Sequence, residues 1–184
     1  MKTWIMAVTA GTLAAGLFAL APASAGPDKI AFPTGYQAGW VLLGTLDRYD
    51  NKTVRRLYMN PEAFEVAKAG QSLPDGTYLV LDSRSAKLGP DSQPLRDDNG
   101  RFIPDDKVTS VAAQQKRKGW GGEYPDNLRN GEWEYSVFAA DGTRRPDLNT
   151  QACFGCHKPR EANDFTFIAK RVIDDYKKSD AAKK

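Results

Sequence analysis

The sequence predicts an α+β domain: a five-stranded antiparallel β-sheet packed with a short helix and a C-terminal helix. Three observations carry that expectation. Five short runs rich in apolar and β-branched residues lie between residues 40 and 138, punctuated by turn signals. Only two segments have helical character, so the strands are not joined by the crossover helices that a parallel sheet needs. The chain has 184 residues, 41% of them hydrophobic, which suits one domain with a real core once the N-terminal segment is set apart.

That segment comes first in the chain. Met1, Lys2 and Thr3 precede an apolar stretch from Trp4 to Leu20 and the small-residue pattern Ala23-Ser24-Ala25. A basic start, an apolar middle and an Ala-x-Ala site make a secretory signal peptide over 1–25, with cleavage expected after Ala25. A retained membrane anchor is the alternative, and Gly11, Gly16 and Pro22 weigh against it. No later stretch is apolar enough to span a bilayer, so no membrane contact is expected after cleavage. The domain is then read as residues 26–176, followed by a lysine-rich tail over 177–184.

Trp40 to Leu46 is a near-continuous apolar run between Gly39 and Asp47, which reads as a central strand buried on both faces. Thr53 to Met59 is the second strand. Asn60-Pro61-Glu62 opens a helix with an N-cap and Pro at its first position, and Gly70 ends it; Ala63, Phe64, Val66 and Ala67 form its apolar side. Pro74-Asp75-Gly76 is a turn leading into a third strand, Thr77 to Leu81. Residues 82–107 are rich in Gly, Pro and Asp and read as a long surface loop. Further strands are expected over Val108 to Lys116 and Glu132 to Phe138, where Trp133, Tyr135 and Val137 alternate with polar residues. A final helix is expected from Ala162 to Tyr176, with Phe165, Ile168, Val172 and Tyr176 along one face.

The chemistry is concentrated in five residues. Both cysteines and the single histidine of the chain fall in Cys153-Phe154-Gly155-Cys156-His157. Two thiols at this spacing can add to the two vinyl groups of one porphyrin, and the next residue then offers an imidazole to the iron. A thioredoxin-like pair would sit at the start of a helix in a βαβ unit, which the surrounding elements do not form. A structural zinc site needs four ligands, and only three such side chains exist. The expected cofactor is therefore one covalently attached haem c, with Cys153 and Cys156 as its anchors and His157 as the axial metal ligand. A formal net charge of +3 without a basic face gives no footprint for nucleic acid. The tail lysines Lys177, Lys178, Lys183 and Lys184 read as a solvated end, with docking to an acidic redox partner as the sharper alternative.

The sixth position of the iron decides between carrying electrons and binding small molecules. A second histidine does not exist, and Met1 and Met6 lie in the signal segment, which leaves Met59. Methionine on a strand is more often core filler than ligand. A lysine is a further candidate. An open site, with room for a small gaseous or nitrogenous ligand, is the preferred reading.

Gly39-Trp40-Val41, Pro74-Asp75-Gly76-Thr77, Asn130-Gly131-Glu132-Trp133-Glu134-Tyr135, and the haem pentad with Lys158-Pro159 and Asp164-Phe165, resemble the cytochrome P-460 and cytochrome c′-beta family of periplasmic haem proteins. The resemblance implies a five-stranded antiparallel sheet, a homodimer, His157 on the proximal side and an open distal side. In the hydroxylamine-oxidising members a lysine cross-links the porphyrin; the matching position here is Leu81. Their distal glutamate falls at Ala112. Neither residue supplies a cross-link or a base, so the resemblance leans to the c′-beta branch and to binding of nitric oxide or carbon monoxide. A hydroxylamine-oxidising or peroxidase-type enzyme, with Lys87 as a substitute cross-link, and an electron carrier with Met59 on the iron are the alternatives; no catalytic residue is assigned. Trp40, Tyr78, Phe102 and Trp133 are candidates either for crowding the distal face or for ordinary packing.

Overall fold

The computed structural model describes residues 29–69, 72–167, 169 and 171–175. The signal segment 1–25 with its cleavage site, the tail 177–184 and Tyr176 lie outside the described residues. Five strands form one antiparallel sheet in chain order: β1 (Val41–Arg48), β2 (Thr53–Met59), β3 (Tyr78–Ala86), β4 (Pro104–Lys116) and β5 (Trp133–Ala139). Among the elements with described bounds are three short α-helices: α1 (Tyr36–Gly39), α2 (Pro61–Lys68) and α3 (Gln151–His157). No helix of the described residues is long and apolar enough to cross a membrane.

Strict alternation along the strands sends side chains to two faces, and each face has its own core. One core joins Leu43, Met59, Leu79, Trp133 and Tyr135 to Ala63, Phe64 and Ala67 of α2, to Phe154 of α3 and to Phe165. The other joins Tyr58, Tyr78, Val80, Val111 and Phe138 to the N-terminal segment through Ile30 and Tyr36. A third, smaller cluster of Val54, Ala86 and Phe102 covers the far end of that second face.

The second strand has the expected bounds, and α2 starts at Pro61 as its sequence predicts. Asn60 holds the N-cap position but does not cap with its side chain. Its Oδ1 instead accepts from the Tyr78 amide at 2.8 Å, fastening the start of α2 to the start of β3. The turn before β3 closes with a hydrogen bond from Thr77 N to Pro74 O, and its third position, Gly76, has φ 84°, which requires glycine.

Three expectations are corrected. The first strand is not central and not buried on both faces: β1 is an edge, with Leu42 47% and Leu46 53% exposed. A bulge between Leu42 and Gly44 keeps Val41 and Leu43 directed at the first core. Residues 82–107 are not one loop, because β3 runs on to Ala86 and β4 starts at Pro104. The polar residues that resemble a loop are paired inside the sheet's second face. Asp82, fully buried, accepts from Tyr36 Oη at 3.2 Å and lies 3.4 Å from the Arg84 guanidinium, which also donates to the Asp106 carbonyl at 2.5 Å. Burial and the Asp82 charge push the Tyr36 hydroxyl up to about 12. The remaining loop packs through Phe102 on the second face, away from α3.

The final helix does not begin at Ala162. A 3₁₀ segment, Lys158–Asn163, follows α3, and Asp164 and Phe165 then take left-handed φ of 51° and 54°. That reversal ends the helical path; residues 169 and 171–175 are helical again, with Ala169 and Ile173 in the first core, and Ile168 lies outside the described residues.

Candidate haem site

Helix α3 carries the motif. Its entry is fixed by the Asn149 carboxamide, whose Oδ1 accepts from the Gln151 amide at 2.9 Å. Phe154 anchors it, 3% exposed, with ring centroids 4.7 Å from Tyr124 and 4.8 Å from Tyr135. Asn130 donates from Nδ2 to the Phe154 carbonyl at 3.0 Å and to Tyr135 Oη at 3.0 Å, locking helix, loop and β5 together. With Phe154 turned inward, Cys153, Cys156 and His157 fall at i, i+3 and i+4 on one side of the helix. Both thiols are free; Cys153 is half-buried and Cys156 exposed. Burial, with the neighbouring Cys156, pushes the Cys153 thiol up.

The imidazole of His157 is fixed from three sides. Nδ1 lies 2.7 Å from the Phe165 carbonyl, and the ring sits 4.9 Å from Tyr135 and 4.9 Å from Phe167. Burial holds its pKa below the ordinary 6.5; the Phe165 hydrogen bond opposes that and the Arg160 charge adds to it. A neutral ring that donates from Nδ1 to a carbonyl keeps its lone pair on Nε2, the form that binds a metal.

The Phe165 carbonyl points at His157 because of the left-handed pair Asp164 and Phe165. Gln114 Nε2 donates to the same carbonyl at 3.1 Å. The pair is held in turn by the Asp164 carboxylate, 2.8 Å from Lys116 Nζ and 3.2 Å from the indole nitrogen of Trp133. Tyr135, between His157 and Asn130, has its hydroxyl pKa raised well above the usual value by burial.

Strand register shows what lies beside the imidazole. Met59, Leu79, Gln114 and Tyr135 pair in succession across β2 to β5 and share the face turned to α3. All four are buried. The next row on that face is Leu57, Leu81, Ala112 and Val137, paired in the same way and each only half-buried. The structure thus sets Leu81 and Ala112 directly opposite each other and adds Leu57 and Val137. Met59 belongs to the enclosed row, fully buried in the first core. Trp40 and Tyr78 pack on the opposite face, Phe102 at its far end and Trp133 inside the first core. Lys87 is exposed just past the end of β3.

These residues fit a covalently held porphyrin: two free thiols and a metal-ready imidazole on one side of α3, beside a half-covered apolar row. Among the described residues no three His, Cys, Asp or Glu side chains gather into a metal cage. A place at the site is not read from the sequence for Leu57, Val137, Asn130, Gln114 or the Phe165 carbonyl. The first two would follow from Leu81 and Ala112 once the register is known; the carbonyl belongs to the backbone and leaves no side-chain signal.

Comparison with curated proteins finds no match. The family profile described as Cytochrome P460 matches residues 33–168, a span that takes in all five strands, α3 and the Phe165 carbonyl. The chain therefore belongs to the cytochrome P460 family and is a haem protein of the c-type cytochrome class.

Proposed function

We propose that the protein carries one haem c, thioether-bonded to Cys153 and Cys156 and ligated by His157 Nε2, and that it binds small neutral diatomics, nitric oxide first among them, at an open sixth position. When bound, the haem supplies a redox-active iron. The chain supplies the rest. The Phe165 carbonyl orients the imidazole and strengthens it as a donor. Tyr135 and Phe167 hold its plane.

The observation that carries the reading is the row Leu57, Leu81, Ala112 and Val137, which offers hydrocarbon and no titratable group. Oxidation of an N–H substrate needs a base near the reacting atoms, and this row has none. A dry lining instead suits a neutral diatomic. Met59, enclosed in the core, supports an open position over a methionine-ligated electron carrier. On the same reading we place the protein in the periplasm after cleavage at Ala25, as a homodimer with a periplasmic redox partner.

The test is spectroscopic. Haem should stay with the polypeptide in acidified acetone, and nitric oxide added to the ferrous protein should shift the Soret band. An unchanged spectrum overturns the ligand assignment. Hydroxylamine turnover, or a haem-peptide mass showing an extra cross-link, would return the protein to the oxidising enzymes.

A further inference from the structure

Arg55 lies on β2 two residues before Leu57 and is paired with Leu46 on β1 and Ser83 on β3. By alternation it belongs to the face that carries Leu57 and Leu81, one row farther from α3. That row continues through Ser110 and Ala139 and contains no acid. Yet Arg55 is half-buried, its Nε is shielded from solvent, and its guanidinium makes no hydrogen bond or ion pair among the described residues.

Burial lowers the Arg55 pKa, the neighbouring Arg48 adds to that, and Asp50 opposes it. Asp50 is already engaged by Arg48, through Nε at 2.9 Å and Nη2 at 2.5 Å. A shielded guanidinium donor without an acceptor is costly, and folded chains seldom leave one. The other orphaned atoms have a different setting: Asp82 Oδ1 and Arg84 Nε belong to one pair on the opposite face, and Asn130 Oδ1 sits behind α3.

We propose that Arg55 receives a haem propionate through charge-assisted hydrogen bonds. The inference rests on the haem assignment above. His157 and Cys153 lie by the Tyr135 end of this face, so the thioether edge of a bound porphyrin would sit there. Four strand residues, about 13 Å, separate the Tyr135 row from the Arg55 row, a span that a porphyrin with its propionates covers. The propionates leave the ring away from the thioethers, and a guanidinium matches a carboxylate in charge and fork geometry.

Arg55→Leu, Arg55→Lys and the opposite-face control Arg56→Leu should be compared in the haem-loaded protein. Resonance Raman reads the propionate bending mode, and a redox titration reads the midpoint potential. Arg55→Leu should move the bending mode down and lower the potential, since loss of a nearby cation favours the ferric state. Arg55→Lys should shift both less, and Arg56→Leu should shift neither. Should Arg55→Leu fail to fold, the Arg55→Lys shift alone decides. Wild-type mode and potential in the Arg55 variants overturn the inference while leaving the haem assignment intact. Wild-type protein that releases its pigment into acidified acetone overturns the assignment first, and the inference with it.

Discussion

Asp164 offers the sharpest test of how the imidazole is positioned. Its carboxylate accepts from the buried Trp133 indole and pairs with Lys116, and its backbone is the first of two left-handed residues that aim the Phe165 carbonyl. In Asp164→Ala the indole N–H loses its acceptor in a fully buried setting, which costs about 2 kcal/mol. Alanine also tolerates the left-handed region less well than aspartate, adding about 1 kcal/mol. The Lys116 pair, with side chains 19% and 28% exposed, contributes at most about 1 kcal/mol. Asp164→Ala should therefore lose about 3–4 kcal/mol. Asp164→Asn keeps the indole acceptor and the left-handed tolerance, loses only the charge, and should lose about 1 kcal/mol. Guanidinium unfolding of the haem-loaded variants, followed by circular dichroism at constant m, measures both. The absorption spectrum of Asp164→Ala should change as well, because the carbonyl that orients His157 moves. Equal midpoints for the two variants would refute the reasoning.

Met59→Leu should leave the oxidised and reduced spectra unchanged and cost less than about 1.5 kcal/mol, as a volume-conserving change in an enclosed core; conversion to a high-spin spectrum would instead identify Met59 as the sixth ligand. A Cβ on Gly121 would lie 1.9 Å from the Gly131 carbonyl oxygen, whereas one on Gly122 meets nothing within 4 Å. Thermal melts should therefore show Gly121→Ala losing about 3 kcal/mol and Gly122→Ala close to wild type. The Asp47 carboxyl is held below its ordinary 3.8, first by hydrogen bonds from Arg101, then by the Phe102 amide and the Arg101 charge, while burial opposes. A depressed carboxyl stabilises the fold above 3.8 and loses that contribution as pH falls through the folded value. Asp47→Asn should thus cost about 1 kcal/mol in urea unfolding near pH 7, and the gap should close in acid.

The sequence is most legible where local chemistry decides the outcome. Alternation and the Asn60-Pro61 pair locate β2 and the start of α2, and the run Cys153 to His157 stands out before any fold is known. It misleads where distant partners decide. Asp82 and Arg84 look like loop residues until Tyr36 and the carbonyls at 105 and 106 meet them. Leu42 and Leu46 look buried because an apolar run carries no mark of an edge position. Leu81 and Ala112 are separately identifiable, but their direct opposition, and the company of Leu57 and Val137, are properties of register. The left-handed step at Asp164 and Phe165 has no signal stronger than the tolerance of aspartate for that region.

Because every ladder joins strands that follow one another in the chain, no strand must wait for a later one to find its partner. The cores are less local: the first needs Phe154 and Phe165, and the second joins Ile30 to Phe138 across almost the whole domain. The segment with the two thiols follows all five strands in the chain. The first core is therefore completed from the C-terminal side, where Phe154 and Phe165 close over a sheet whose strands all precede them.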